Sequence, residues 1–169
     1  MFISTDKISD KGFSISDSID PDENLLVEEG GYFLENLNFD IFLMRDNDHI
    51  KAKGRIRTAV SIQCVRCLEE FELKINSRFD VILFPAYMVD PVNVSLGPDD
   101  MEYIFYEDNQ INLIKILVEQ VNLFIPYNPV CNDDCKGICP NCSVNLNYED
   151  CICDDSTSAW SLLFDKIKR

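Results

Sequence analysis

Eight cysteines dominate the chemistry open to this sequence. They fall into four close pairs with none left over: Cys64 and Cys67, Cys131 and Cys135, Cys139 and Cys142, Cys151 and Cys153. A CxxC turn lets two thiolates converge on one ion while nearby backbone N–H groups hydrogen-bond the sulfurs, and two such turns supply the four ligands of a tetrahedral zinc site. CPNC at 139–142 and Cys151-Ile152-Cys153, with eight residues between them, can close one such set. CVRC at 64–67 and the CNDDC segment with Cys131 and Cys135 can close another. Four pairs divide into two sets in three ways. The local arrangement costs the tail least chain entropy and leaves the other two pairs for each other.

Other thiol chemistries fit less well. A thioredoxin-type dithiol needs CxxC where a strand meets a helix in a βαβ unit, whereas CVRC falls between two alternating strands. A disulfide framework needs an oxidising compartment, for which the sequence carries no signal. A catalytic zinc draws on His or carboxylate ligands and keeps one position open, and the chain has a single histidine, His49. The expected cofactor is therefore Zn²⁺, two ions, both structural.

Composition narrows the rest. The 169 residues hold 15 Lys plus Arg against 30 Asp plus Glu, a net charge of −15. Eight thiolates with two Zn²⁺ would take this to roughly −19. A generic nucleic-acid coat needs a basic footprint, so an RNA contact has to be local. One locality offers itself: His49, Lys51, Lys53, Arg55 and Arg57 line one side of a single strand, and residues 45–78 carry eight Lys or Arg against five Asp or Glu. Lys51, Lys53, Arg55 and Arg57 are the candidate RNA-contacting residues. Against that stands a plain solvated face, whose cations pair across strands with acids such as Glu70 and Glu72. His49 lies in a turn among charges, without a triad partner. No P-loop, GxGxxG, GxSxG or HExxH pattern occurs, so no enzymatic activity is expected.

The elements that position these residues are read from periodicity. Phe39, Ile41 and Leu43 alternate with Asp40 and Phe42 before a turn at Asn47-Asp48. From His49 to Cys64, residues Ile50, Ala52, Gly54, Ile56, Thr58, Val60 and Ile62 share a face. After CVRC the inward set is Phe71, Leu73, Ile75, Phe79, Val81 and Leu83, so CVRC sits at a hairpin tip. Gly54 and Ser77 interrupt the inward faces as candidate bends or bulges. The first 38 residues read as peripheral, with Phe13, Ile15 and Ile19 spaced for a strand. Residues 85–100 read as a loop and 101–108 as a short strand. Leu113, Ile114, Leu117, Val118, Val121 and Phe124 predict a helix capped by Asn112 and stopped by Pro126. The apolar content of 127–155 is too sparse to fold that segment by burial. A last helix is expected at about 157–168, with Trp160, Leu163, Phe164 and Ile167 on one face. No run approaches the roughly 18 apolar residues of a membrane span. The start, MFISTDKISDK, lacks a basic region followed by an apolar one, so no secretory leader is expected.

In order and spacing, SIQCVRCLEEFELKI, INLIKILVEQVNLFIPYNPVC and CNDDCKGICPNCSVNLNYEDCICD resemble the bacterial YceD family, the large ribosomal RNA subunit accumulation proteins. The shared features are CxRCLxxF after a long strand, a helix running into P-x-x-P-x-C, and CxxDCKGxCPxCxxNLNxxxCxCD. The resemblance covers about 50–169 and implies that all eight cysteines are the family's motif cysteines. It also implies a role in maintaining or processing large-subunit (23S) ribosomal RNA without an established enzymatic activity. Two departures stand out. Ser143 replaces the usual glycine after Cys142, which serine tolerates where φ stays negative. Ser156-Thr157-Ser158 replaces a DPR-type helix start, and Ser156 or Thr157 can still cap.

The expected architecture is α+β: an antiparallel, twisted or barrel-like β-sheet with two helices and a zinc-stapled C-terminal segment. Residues 1–126 would form an α+β domain with a long β-hairpin and one helix, and 127–169 a cysteine-rich zinc-binding tail with a terminal helix. The expected function is that of a non-enzymatic ribosome-biogenesis factor acting on pre-ribosomal RNA. The alternative is an acidic binding module or chaperone for a basic large-subunit ribosomal protein, which the charge and the family's frequent gene neighbour, a small zinc-ribbon ribosomal protein, both suit. A cytoplasmic location is expected, with neither membrane nor small-molecule partner.

Overall fold

The computed structural model describes residues 1–21, 30–88 and 103–153. Of the loop expected at 85–100, Pro85 ends a strand and Ala86–Met88 form a 3-10 turn, while 89–100 lie outside the described residues, as does the terminal helix expected at 157–168 with its altered start. The described residues fall into two compact units, one of residues 1–62 and 72–126, the other of residues 63–71 and those from 127 on.

The first unit is built on strands. In chain order these are β1 (Phe2–Ser4), β2 (Phe13–Ile19), β3 (Tyr32–Phe33), β4 (Leu37–Asp46), β5 (His49–Gln63), β6 (Glu70–Pro85), β7 (Tyr103–Tyr106) and β8 (Gln110–Asn112), followed by α1 (Leu113–Leu123). The main sheet runs β2-β4-β5-β6-β7, with β3 also on β5, while β1 and β8 form a separate antiparallel pair. Alternation sets the buried face: Leu37, Phe39, Ile41 and Leu43 of β4 are buried, as are Ile50, Ala52 and Ile56 of the adjacent β5 and Phe79, Val81 and Leu83 of β6. Each large aliphatic side chain so buried contributes roughly 1.5–3 kcal/mol. Asn47 takes φ +54° in the β4–β5 turn, a conformation asparagine tolerates.

Two expectations about the sheet are corrected. It is not closed into a barrel: among the described residues β2 and β7 end the strand order and do not pair with each other. Nor is it wholly antiparallel, since β7 runs parallel to β6, with Ile82 opposite Tyr103 and Pro85 opposite Tyr106. Period-two alternation reports which face is buried and is blind to strand direction. The 17 residues of 86–102 are long enough to carry the chain back for a parallel pairing.

Gly54 marks no bulge: the β4–β5 register is continuous through it, with Ile41 opposite Gly54. A Cβ there would stand 2.6 Å from the Phe79 ring and 2.8 Å from Ile41 Cγ1, so the glycine makes room for an aromatic ring.

Helix α1 is the one α-helix among the described residues. Asn112 caps it, its side chain accepting from Lys115 N. The buried stripe is Leu113, Ile116, Leu117, Gln120 and Val121. At 100° per residue Ile114 and Val118 fall on its flank, so the stripe is rotated from the one read in the sequence. No helix among the described residues is long and apolar enough to cross a membrane.

Candidate metal centres

In the second unit, the six residues 64–69 between β5 and β6 fold into a tight knuckle. Cys64 N donates to Glu69 O at 2.9 Å, and Leu68 N returns to Cys64 O at 2.9 Å. Closing this turn puts Leu68 at φ +62°. The segment after α1 is laced to the knuckle by backbone: Val65 N to Pro129 O at 2.9 Å and Ile138 N to Arg66 O at 3.1 Å. The Arg66 guanidinium donates to Asp133 O at 3.0 Å and to Cys135 O at 3.1 Å. These bonds bring Cys64, Cys67, Cys131 and Cys135 together, with all four sulfurs within 4.8 Å of one another. Cys64, Cys67 and Cys135 are buried, and Phe71 and Val130 pack against them.

A second knuckle repeats the first. Ser143 N donates to Cys139 O at 2.9 Å, the counterpart of the Leu68–Cys64 bond. Ser143 accordingly takes φ +59°, so the condition under which serine replaces glycine without strain, a negative φ, is not met. The turn imposes the left-handed conformation whatever residue fills the position, at a cost of roughly 1–2 kcal/mol for a side chain bearing Cβ. Residues 137–139 pair with 144–146 through Cys139 N to Val144 O at 2.8 Å and Leu146 N to Gly137 O at 2.9 Å. Cys139, Cys142, Cys151 and Cys153 form the second set, also within 4.8 Å. Cys139 is buried, Cys142 exposed, and Cys151 and Cys153 lie between.

The donor set fits a metal. Four thiolate sulfurs at about 2.3 Å from one ion in a tetrahedron lie about 3.8 Å apart. Cys64 Sγ lies 3.9 Å from Cys135 Sγ, and Cys67 Sγ 3.7 Å from Cys131 Sγ. In the second set, Cys142 and Cys151 are 3.6 Å apart and Cys151 and Cys139 3.2 Å. Backbone N–H groups point at sulfur in both knuckles: Arg66 N to Cys64 Sγ and Asn141 N to Cys139 Sγ at 3.4 Å, with Cys153 N to Cys151 Sγ at 3.3 Å. All eight thiols are free, and each set can hold a metal ion.

The electrostatics separate thiols within each set. Burial opposes ionisation of Cys64, but hydrogen bonds from the Cys67, Cys131 and Arg66 backbone outweigh it and bring the thiol down to about 6. Cys139 reaches about 6 through hydrogen bonds from the Cys142 and Asn141 backbone and from Cys151. Loss of solvent and the neighbouring thiols push Cys131 up to about 12, and the Cys142 and Cys151 thiols do the same to Cys153. The Asn147 side chain is the foremost cause holding Cys135 low. Each set thus holds at least one thiol that ionises readily beside one that gives up its proton last, so a cation drawing in all four sulfurs has to displace protons.

Several residues that build these centres escaped the reading from spacing alone. Gly137 takes φ +75° against the Arg66 carbonyl, and Arg66, Asn145 and Asn147 supply hydrogen bonds. The signal was the CKG and NLN stretches among the cysteines.

The basic strand face lies in the other unit. Lys51 Nζ is 2.6 Å from Asp46, Lys53 Nζ 2.6 Å from Asp80, and Arg57 Nη2 2.7 Å from Asp40. Arg55 Nε donates to Asn76 Oδ1 at 2.8 Å. Three of the four cations therefore meet carboxylates of Asp40 and Asp46 on β4 and Asp80 on β6. Hydrogen bonds from Ser16 and then Arg57 hold the Asp40 carboxyl below the usual range, and one from Lys51 does so for Asp46. Arg55 and Arg78 have no ion pair among the described residues, and both line a cleft of about 310 Å³ with Lys53, Ser14, Ser16 and the carboxylate Asp40. His49 stacks on Phe84 at 5.2 Å and sits 3.6 Å from Asp46.

Comparison with known proteins follows the same residues. A family model described as "Large ribosomal RNA subunit accumulation protein YceD" matches residues 52–165. The chain is 27% identical over 133 residues to "Large ribosomal RNA subunit accumulation protein YCED homolog 1, chloroplastic" of Arabidopsis thaliana, covering 66% of this chain and 41% of that protein. The Zea mays protein of the same name is 26% identical over 137 residues, covering 64% and 45%. An uncharacterised protein of Mycobacterium tuberculosis is 26% identical over 127 residues, covering 75% and 58%. The chain spans about half the length of the curated relatives it matches. No solved structure matches it. The family match takes in both cysteine sets and more than half of the residues, and the chain belongs to the YceD family of large ribosomal RNA subunit accumulation proteins.

Proposed function

We propose that this chain is a non-enzymatic ribosome-biogenesis factor that supports accumulation of large-subunit ribosomal RNA by binding pre-ribosomal RNA, with two Zn²⁺ ions as structural staples. The observation that carries this reading is the closure of all eight cysteines of a YceD-family chain into two four-sulfur sets. A set with four thiolates leaves no open position for substrate or water, so the metal supplies cross-linking rather than Lewis-acid chemistry. Cys64, Cys67, Cys131 and Cys135 would hold one ion, and Cys139, Cys142, Cys151 and Cys153 the other. Free thiols suit a reducing cytoplasmic compartment. We read residues 1–126 and 127–169 as separate folding domains, apart from the hairpin tip at 63–71 that the second recruits.

RNA contact would fall on the sheet face at Arg55 and Arg78. Lys51, Lys53 and Arg57, already paired with carboxylates, would contribute less. An acidic chain binding RNA through so small a footprint should show a shallow salt slope, close to one unit per phosphate contacted.

Binding of large-subunit ribosomal RNA fragments across a salt series tests this, with the ratio of large- to small-subunit RNA in cells as the second readout. Arg55→Glu with Arg78→Glu should abolish binding and lower the ratio. Unchanged binding and an unchanged ratio would overturn the RNA reading. Capture of a basic ribosomal protein with no RNA affinity would replace it.

A further inference from the structure

We propose that Asn147 is a positioning residue through which metal occupancy of the Cys139/Cys142/Cys151/Cys153 set raises the metal affinity of the Cys64/Cys67/Cys131/Cys135 set. The inference rests on the metal reading above. Asn147 belongs to the eight-residue segment that joins the two halves of the second set, between Cys142 and Cys151. Its side chain nevertheless serves the first set, with Nδ2 donating to Cys135 Sγ at 3.4 Å. On the other side of the same amide, Oδ1 accepts from the backbone N–H of Lys136, the residue after Cys135, at 2.8 Å. One amide thus grips Cys135 by its sulfur and by the following peptide.

The orientation of that amide is settled by its partners. A backbone N–H can only donate, so Lys136 N requires Oδ1, which leaves Nδ2 toward the sulfur. Nδ2 also donates to Asn145 Oδ1 at 2.9 Å, and Asn145 Oδ1 accepts the Asn147 backbone N–H at 3.0 Å. Asn145 is tied in turn to the other strand of its small pairing, opposite Ile138. Its Nδ2 reaches Oε1 of Glu69, the last residue of the first knuckle, at 3.4 Å.

What holds this segment in place is not burial. Val144, Asn145 and Leu146 are half-buried, while Ser143 and residues 147–150 are exposed. Its ends are Cys142 and Cys151, whose sulfurs lie 3.6 Å apart. A cation binding both sulfurs closes the segment into a loop and presents the Asn147 N–H to Cys135. Without that clamp the segment is held by the backbone bonds of Val144 and Leu146 to Cys139 and Gly137, residues 147–150 regain chain entropy, and the donor spends less time on the first set. A hydrogen bond to a metal-bound thiolate sulfur stabilises its charge, and removing such a partner typically costs about 10–100-fold in metal affinity. Linkage makes the coupling reciprocal, so filling the first set tightens the second by the same factor.

Titration of the full chain with Co²⁺ against a competing chelator, read by the sulfur-to-cobalt charge-transfer bands, tests this. In the wild type two Co²⁺ bind with mutual enhancement. Cys142→Ser with Cys151→Ser should leave one ion, held by the first set about 10–100-fold more weakly. Asn147→Asp keeps the acceptor for Lys136 N but loses the donor to sulfur. It should weaken the first set by a similar factor and shift its charge-transfer band, while both ions still bind. Adding Asn147→Asp to the double serine variant should cost nothing further. Two ions binding independently, an Asn147→Asp protein with wild-type affinity and spectrum, or additive losses would overturn the coupling while leaving the metal reading intact. Failure of the wild type to bind any Co²⁺ would overturn both.

Discussion

Gly137 is seated against the carbonyl of Arg66: a Cβ at Gly137 would stand 2.9 Å from that oxygen. The contact allows the N–H of Ile138, next in the chain, to reach the same oxygen at 3.1 Å. With φ at +75°, the position asks for glycine twice, once for conformation and once for space. Gly137→Ala should destabilise the cysteine unit by about 2 kcal/mol, combining left-handed strain with overpacking against backbone. Denaturant unfolding of the metal-loaded protein would measure it, and a change under about 0.5 kcal/mol, the ordinary range for a surface substitution, would contradict the account.

Ser143 gives the opposite expectation. It already occupies the left-handed region, and the second knuckle holds it there through the bond to Cys139 O. Ser143→Gly relieves the Cβ strain at the price of a more flexible unfolded chain, for a net gain of about 0.5–1 kcal/mol. The same change at Leu68, whose φ is +62°, would also remove a large side chain, so Ser143 is the cleaner test. Metal retention against a chelator should rise in Ser143→Gly, and a fall would show that the hydroxyl matters more than the backbone.

The two cysteine sets should differ in what they stabilise. Cys64 and Cys135 lie 71 residues apart in sequence and Cys67 and Cys131 lie 64 apart, whereas Cys139 and Cys151 are separated by 12. Cross-linking the longer span removes more entropy from the unfolded chain. Structural zinc contributes free energy on the order of 10 kcal/mol in small modules. Cys64→Ser should therefore release residues 127 onward from the hairpin tip. Cys139→Ser should lose one ion and leave the tip ordered. Amide exchange resolved by residue would compare them. Equal loss of protection at Val65 in both variants would refute the distinction. Wild-type metal analysis should give about two Zn²⁺ per chain, and iron in their place would revise the ion without altering the ligands.

Asp40 supplies a pH dependence. Its carboxylate accepts hydrogen bonds from Ser16 and Arg57, which hold its folded pKa below the ordinary value. A depressed folded pKa means the stabilisation is fully present above the unfolded pKa, near 4, and is lost as pH falls through the folded value. Arg57→Ala should move the Asp40 titration, followed by NMR of its side-chain carboxyl, upward toward the ordinary range. An unmoved titration would show that the ion pair is not maintained in solution.

Much of the sheet was legible because burial on one face is written locally as alternation. Phe39, Ile41 and Leu43 in β4 and Phe79, Val81 and Leu83 in β6 could be assigned without knowing their neighbours. Helix α1 was legible for the same reason, although the half-buried Ile114 and Val118 drew the stripe off its true centre, because hydrophobicity alone does not separate a flank from a middle. Gly54 was visible as an interruption but not as the seat of the Phe79 ring, since the ring comes from another strand. The basic ridge was visible as charge, but its partners Asp40, Asp46 and Asp80 depend on which side chains the register brings together.

By itself, then, the sequence determined the long hairpin, the capped helix, the pairing of cysteines by twos and the family resemblance. All of these are carried by residues close together in the chain. Only the tertiary structure decided that β7 runs parallel to β6, which pairs of cysteines meet, that Ser143 turns left-handed and that Asn147 reaches Cys135 across the boundary between the two sets. Periodicity and spacing describe the surface a segment offers, while direction, convergence and hydrogen-bond partnership belong to segments tens of residues apart, whose meeting is set by the energy of the whole fold.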